Sequence, residues 1–494
     1  MGATEAHTGE LAAGVARLGT ETAFSVLARA RAMERAGRDV IHLEIGEPDF
    51  DTPAHITEAG IAALRAGETH YCPAAGIPEL REAAAAELTR SRGVDIAPER
   101  VLVANGAKPF LFFTILATCE PGDEVVYPDP GFPIYESAIR WVGATPVGLP
   151  LREELGFSFA LEDLQARLSE RTKLVILNSP QNPTGGVTPA VDLAAAADLI
   201  LETRAWVLTD EVYARLIYGD AFASIATEDR MLERTVLLDG FSKTYAMTGW
   251  RCGYAAVPDA LVEPLTRFFV NSTSCVPPFV QHAGVAALTG PQDDVDAMVA
   301  EFAARRDLVV DGLNALPGVS CLSPRGAFYV FPNVADTPVS AEELADRLLE
   351  EAGVAVLAGT AFGAQGADHL RLSYANSQAN LTRALERMDA FLRALWGGRE
   401  VSALSPRPRW RRAARRRAWT PASRAGAGRP RGSPSSRRRG TPTASSAACG
   451  PRSRCCRGSA ASSRSRPGGR ADWRCSRWRP RSTARASSRA RSSS

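Results

Sequence analysis

The sequence predicts an α/β fold: a mostly parallel central sheet with helices on both faces, followed by a smaller α+β unit. Three observations lead there. Strands rich in Val, Ile and Leu alternate with helical stretches from about residue 100 to 258, the pattern of a sheet covered on both sides. Polar residues follow those apolar strands directly, at Asn105, Asn182, Asp210 and Lys243, where open α/β sheets bind their ligands. Beyond a long amphipathic helix at 298–316, a second run of short strands and helices continues to about residue 396.

The elements follow in order. Residues 20–40 carry apolar residues at helical spacing, with Gly37 near the end. VLVAN (101–105) is a strand, and GAKPFLFFTILATC opens a buried helix. DEVVYP (123–128) is a strand and FPIYESAIRWVG (132–143) a helix. TPVGLPL, LVILNSP (174–180), WVLTDEVY (206–213), TVLLDGFSK (235–243) and RCGYAAVP (251–258) are further strands. In the smaller unit GAFYVFPNV, GVAVLAGTAF and HLRLSYA read as extended, with a helix at 341–351 and a last one ending near Trp396. The expected organisation is a disordered extension at 1–19, a large domain at 51–290, and a small domain built from 20–50 and 291–396. There is no internal repeat.

The net charge of +3 over 494 residues averages two unlike parts. Residues 401–494 hold 26 arginines, no lysine and one acid, Asp472, a net +25. The remaining 400 residues hold 32 basic and 54 acidic side chains, a net −22. From 397 onward the Arg/Ser/Pro-rich sequence has no hydrophobic period and cannot build a core. It reads either as a basic disordered tail, able to meet nucleic acid or an anionic surface, or as off-frame translation of GC-rich DNA. Cys72, Cys119, Cys252, Cys275 and Cys321 are scattered, without CxxC or paired histidines, so reduced thiols and a cytoplasmic location are expected and a metal site is not. The N-terminus has no basic segment followed by an apolar run, and the longest apolar stretch, FLFFTILATC (110–119), is about half a bilayer span.

The polar residues at the strand ends form a set with one chemistry. Each alone also reads as turn chemistry or a helix cap. Pyridoxal 5'-phosphate needs an amine that condenses with its aldehyde, a carboxylate facing its ring nitrogen, donors to its ring oxygen, and a phosphate site. Lys243, between Ser242 and Thr244, is the amine, since a buried lysine shifts its pKa down readily. Asp210 is the carboxylate, which keeps the ring an electron sink. Asn182 and Tyr213 are donors to the ring oxygen, Tyr213 one turn from Asp210 if a helix begins there. Asn105, Gly106, Ala107 and Lys108 turn from strand to helix, where backbone N–H groups cradle a phosphate, with Ser242 and Arg251 completing the cage. There is no P-loop, no G-x-S-x-G elbow and no HExxH.

These segments resemble those of the class I/II aminotransferases, the fold-type-I family that includes aspartate aminotransferase. IGEPDFDTP (45–53), HYCPAAGIPELREA (70–83), NGAKPF (105–110), YPDPGFPIY (127–135), NSPQNPTGG (178–186), TDEVY (209–213), DGFSKTYAMTGWRCGY (239–254), GAFYVF (326–331) and RLSYANS (371–377) run in family order and cover roughly residues 20–396. The resemblance implies further roles. Gly46 is similar to the glycine whose backbone contacts the substrate carboxylate, and Arg371 to the arginine that holds the α-carboxylate in a bidentate fork. Tyr71 is similar to the tyrosine that reaches the phosphate of the neighbouring subunit, so a homodimer with shared active sites is implied. Phe132 stands where a ring stacks on the cofactor, in place of the family's frequent Trp or Tyr. Lys108 resembles a lysine that contacts the distal carboxylate in aspartate-using relatives, and reads equally as a solvated cation. FSKTY in place of AAKAF, and Pro109 where relatives carry Gln, leave substrate choice open.

The implied reaction is ping-pong transamination between an L-amino acid, aspartate or another dicarboxylic one first, and a 2-oxo acid. A carbon–sulfur β-lyase or a biosynthetic eliminating or cyclising enzyme shares the same Cα-deprotonated chemistry and stays open. A DNA-binding regulator with an aminotransferase-like domain is disfavoured, since only about 20 residues precede the domain in this sequence.

Overall fold

The computed structural model describes residues 11–219 and 221–397; the expectations for 1–10 and for the basic tail from 398 lie outside these. The chain opens with a 3-10 turn, Ala13–Arg17, then α1 (Thr22–Arg35), the two-residue strand β1 (Ile41–His42), α2 (Ala54–Ala66) and α3 (Pro78–Arg92). The sheet region runs β2 (Val101–Ala104), α4 (Lys108–Thr118), β3 (Glu124–Asp129), α5 (Ile134–Val142), β4 (Thr145–Arg152), β5 (Ser158–Phe159), α6 (Leu161–Gln165), β6 (Thr172–Asn178), α7 (Ala190–Leu201), β7 (Trp206–Asp210), β8 (Thr235–Gly240), the single turn α8 (Phe241–Thr244) and β9 (Gly253–Ala256). Helices α9 (Asp259–Ser272), α10 (Pro278–Thr289) and α11 (Asp293–Ala315) lead to β10 (Tyr329–Val330), α12 (Ala341–Arg347), β11 (Val354–Ala355), β12 (Leu357–Ala358), β13 (Leu370–Ser373) and α13 (Gln378–Leu395).

One eight-stranded sheet has the order β2-β9-β8-β7-β6-β3-β4-β5. Its inner pairs are parallel, while β9 is antiparallel to both β2 and β8. Being reversed between them, β9 leaves β2 pointing the same way as β8. The carboxyl ends of β2, β6, β7 and β8 therefore share one edge, and the candidate residues hang from it. Strands β2, β8 and β9 are buried along their whole length, as a sheet covered on both faces requires. The apolar run at 110–119 packs as α4, with Phe110, Leu111 and Ile115 inside.

The C-terminal part has its own core of Phe302, Phe328, Tyr374, Leu381, Met388 and others, which Ile41 and Leu43 join. Strand β1 pairs in parallel with β11, and β10 and β12 flank β13 in an antiparallel trio. Helix α12 starts on Ser340, whose side chain accepts from the Glu343 N–H, a capping bond that fixes its first turn.

The structure departs from the sequence reading in four places. The strand read over 206–213 stops at Asp210, and neither strand nor helix follows: the chain makes tight turns, with Ala214 N–H donating to Glu211 and Leu216 N–H to Tyr213. The cause is tertiary, since Leu216 and Tyr218 pair with Ala327 and Arg325. Strand β8 ends at Gly240, so Ser242 and Lys243 sit on a helical turn. The helix expected over 341–351 changes after Arg347 into a π-helix, 348–352. Residues 11–19, expected as part of a disordered extension, lie against α5: Arg17 donates to the carbonyls of Arg140 and Trp141, and Gly19 N–H to Ser137. Among the described residues no helix is long and apolar enough to cross a membrane.

Candidate active site

A cavity of about 420 Å³ opens at the shared strand edge. Its walls include Gly46, Ala107, Lys108, Phe132, Asn182, Asp210, Tyr213, Ser242, Lys243, Arg251 and Arg371, which brings nearly every sequence candidate to one place. Gly106 lies immediately behind the wall. Tyr71 does not line the cavity and is 90% exposed.

Lys243 projects from α8, and its ammonium donates to the Gly46 carbonyl at 2.5 Å. Burial pushes its pKa down to about 8; Glu47 opposes that shift, while Arg371, Lys108 and Arg251 add to it. At that value a useful share of the amine is neutral and nucleophilic near pH 7.

Asp210 ends β7. Its Oδ2 accepts from the Tyr135 hydroxyl at 2.7 Å, and Oδ1 accepts from the Val212 N–H at 3.4 Å. Burial raises the Asp210 carboxyl to about 6, against those hydrogen bonds. A cationic ring nitrogen beside it would reverse the shift. The loop after β6 is fixed by Asn178, whose Nδ2 donates to the Asp210 carbonyl at 2.9 Å and whose Oδ1 accepts from the Asn182 N–H at 3.0 Å.

Arg371, on β13, is buried. One guanidinium nitrogen donates to Asn182 Oδ1 at 3.3 Å, and another to the Glu44 carbonyl. Its Nε is buried without a partner, and its Cζ lies 4.8 Å from the centroid of the Tyr329 ring. Tyr329 in turn shares a hydrogen bond with Tyr213 at 2.8 Å. Tyr329 also explains the glycine at 46: a Cβ there would stand 1.9 Å from the Tyr329 hydroxyl.

The phosphate candidates converge at the start of α4. That helix has no side-chain cap; Pro109 carries no N–H and the Phe110 N–H donates to the Ala107 carbonyl at 3.1 Å, which leaves the N–H groups of Ala107 and Lys108 to meet an anion. Gly106 holds φ at +89°, and a Cβ on it would lie 2.3 Å from Arg251 Nη2; only glycine fits that turn. Arg251 donates to the Asn105 and Thr248 carbonyls at 3.2 and 2.9 Å. A free helix terminus, a guanidinium and the half-buried Ser242 beside it suit a phosphate. The arrangement as a whole fits a phosphorylated ring bearing an aldehyde.

The sequence reading missed Tyr135, Asn178, Tyr329 and Glu21, all of which line the cavity. The first three stood inside quoted motifs, one helical turn from Phe132, four residues before Asn182, and beside Phe328. Glu21 had no such signal.

A family model described as aminotransferase class I and II matches residues 38–388. A probable aspartate/prephenate aminotransferase of Aquifex aeolicus is 41% identical over 385 residues, covering 76% of this chain and 97% of that protein. The crystal structure of the aspartate aminotransferase from Rhizobium meliloti superposes with a TM-score of 0.74 at 39% identity, over 77% of this chain and 98% of that one. An aromatic aminotransferase from Pyrococcus horikoshii gives 0.71 at 40% identity, over 74% and 100%.

Proposed function

The chain belongs to the class I and II aminotransferases, and from that membership we propose how its own residues carry an amino group from an L-amino acid to a 2-oxo acid. Pyridoxal 5'-phosphate, when bound, supplies an aldehyde for the substrate nitrogen and a ring that spreads the electron pair left at Cα. Lys243 would hold it through the amine. Asp210, steadied by Tyr135, would meet the ring nitrogen, and Asn182 and Tyr213 the ring oxygen. Phe132 would cover the ring, and the Gly106–Ala107–Lys108 backbone with Ser242 and Arg251 would hold the phosphate. Arg371, steered by Asn182 and the Glu44 carbonyl, takes the α-carboxylate beside Gly46. The Lys243 Nζ, once released, takes the Cα proton and delivers it on the far side of the transfer. The two half-reactions share one site, so the kinetics are ping-pong.

One observation carries this reading: Asn182, Asp210, Lys243 with Arg251, and Arg371 reach one cavity from four separate stretches of chain. Aspartate or another dicarboxylic amino acid is the first donor to try, with Lys108 as the partner of its distal carboxylate. The relatives named for aspartate support that choice. A homodimer follows from Tyr71, exposed on its own chain and assigned to the partner subunit's phosphate site. A cytoplasmic location accords with the five unpaired cysteines of the body.

The test is the absorbance spectrum of the purified protein, titrated with single amino acids. Bleaching by one amino acid and return with an oxo acid is the expected result. Release of ammonia and pyruvate without an acceptor would identify a lyase instead. No cofactor absorbance, in wild type as in Lys243→Ala, would end the assignment.

A further inference from the structure

Glu21 stands at the N-cap of α1, yet its carboxylate caps nothing. It pairs instead with the Lys108 ammonium, 87 residues along the chain. Both side chains line the cavity. The Lys108 Nζ also lies 5.4 Å from the Phe132 ring and 5.9 Å from the Phe24 ring. The segment that carries Glu21 is placed by three hydrogen bonds to α5, from Arg17 to the carbonyls of Arg140 and Trp141 at 2.9 and 3.0 Å, and from Gly19 N–H to Ser137 at 2.9 Å.

Lys108 occupies the first turn of α4, where the helix dipole disfavours a cation. Glu21 offsets that cost. While the pair stands, the two charges cancel, and Phe24, Leu111 and Phe132 leave this part of the cavity apolar. A substrate with a distal carboxylate reaches Lys108 only by displacing Glu21, which otherwise repels it. A substrate with an uncharged side chain has no such conflict and gains the ring contacts.

We propose that Glu21 is the specificity-determining residue of this site, an internal carboxylate that occupies Lys108 for uncharged substrates and yields it to dicarboxylic ones. This rests on the transamination reading above, in which one cavity accepts two different side chains in turn. With the pair closed, the site takes an aromatic or aliphatic side chain. With it open, the substrate's distal carboxylate replaces Glu21 on Lys108.

The experiment compares the holoenzyme, Glu21→Gln, Lys108→Met and the double variant. It measures kcat/KM for L-aspartate and L-phenylalanine, and the Kd of succinate by calorimetry. In Glu21→Gln the aspartate-to-phenylalanine ratio is expected to rise on the order of tenfold, with succinate binding tightened in parallel. In the Lys108→Met background the same substitution moves the ratio by less than about twofold, as a pairwise coupling demands. A ratio and a succinate Kd that stay within about twofold in Glu21→Gln would overturn the proposal, and so would equal losses on both amino acids, the mark of a merely loosened segment. An enzyme active on aspartate alone, before and after the substitution, overturns it too. Wild-type protein that transaminates nothing overturns the functional reading along with it, which separates the two failures.

Discussion

The floor of the cavity and its mouth are built differently. Asp210, Asn182 and Lys243 lie on or within a few residues of the adjacent strands β7, β6 and β8 of one buried sheet, and Gly106 follows β2, one strand beyond β8 across β9. The buried Arg92 ties the residue after β7 to β8, bonded to Glu211 at 3.0 Å and to Asp239 at 2.6 Å. The mouth is assembled from Glu21, Phe24, Gly46 and Arg371, which come from segments outside that sheet, and Glu21 is held in place by a few hydrogen bonds to α5. On the proposed reading the floor holds the cofactor and the mouth receives the substrate, its α-carboxylate at Arg371 and Gly46 and its side chain beside Glu21 and Phe24. A buried strand edge suits the first task, and a segment tied on by three hydrogen bonds to α5 borders the second.

That contrast predicts two kinetic signatures, the largest effects first. Asp210→Asn removes the charge proposed to meet the ring nitrogen, and kcat should fall on the order of 10³-fold with little change in KM. Arg371→Lys replaces the bidentate fork with a point charge, and kcat/KM should fall about 30-fold, mostly through KM. Steady-state kinetics of both variants check this. A KM effect at Asp210 matched by a kcat effect at Arg371 would break the division between floor and mouth.

The same contrast explains what could be read from sequence. Asn182, Asp210 and Lys243 were legible because runs such as LVILN and TVLLDG mark where a strand ends, and the site hangs from those ends. Tyr135 was not, because its bond to Asp210 spans 75 residues and nothing local announces it. Tyr213 was read at the end of a strand over 206–213, or one turn from Asp210 if a helix begins there, yet the strand stops at Asp210 and the pairing of Leu216 and Tyr218 with 325–327 holds the chain in turns. Glu21 was invisible for the same reason: TETAF is an ordinary helix start, and only the fold sets it on Lys108.

A smaller effect concerns the protonation of the floor. Lys243 is lowered to about 8 from 10.5, so roughly one amine in ten is neutral at pH 7, against about one in 3,000 for an ordinary lysine. The neutral amine is the reactive form. The rate at which cofactor-free protein captures pyridoxal phosphate, followed by absorbance, should therefore rise with pH and level off above 8. Glu47 acts against the depression, so Glu47→Gln should move the midpoint to lower pH. A rate that still climbs through pH 10 would mean that burial does not tune this amine.

The smallest expected effect tests whether the floor is complete in one chain. Tyr71 is 90% exposed and outside the cavity of its own subunit, whereas Ser242 and Arg251 flank the uncapped start of α4 from within the chain. If the partner subunit's Tyr71 hydroxyl adds a donor to the bound phosphate, Tyr71→Phe removes one hydrogen bond to a charged group. The Kd for pyridoxal phosphate should then rise about tenfold, with thermal stability of the cofactor-free protein unchanged, since Tyr71 packs on nothing that a lost hydroxyl would disturb. The loss should also vanish on dilution to monomers, where neither variant nor wild type has the donor. A Kd within about twofold of wild type at dimer-forming concentration would instead make the phosphate site self-sufficient, and the floor alone would then account for cofactor binding.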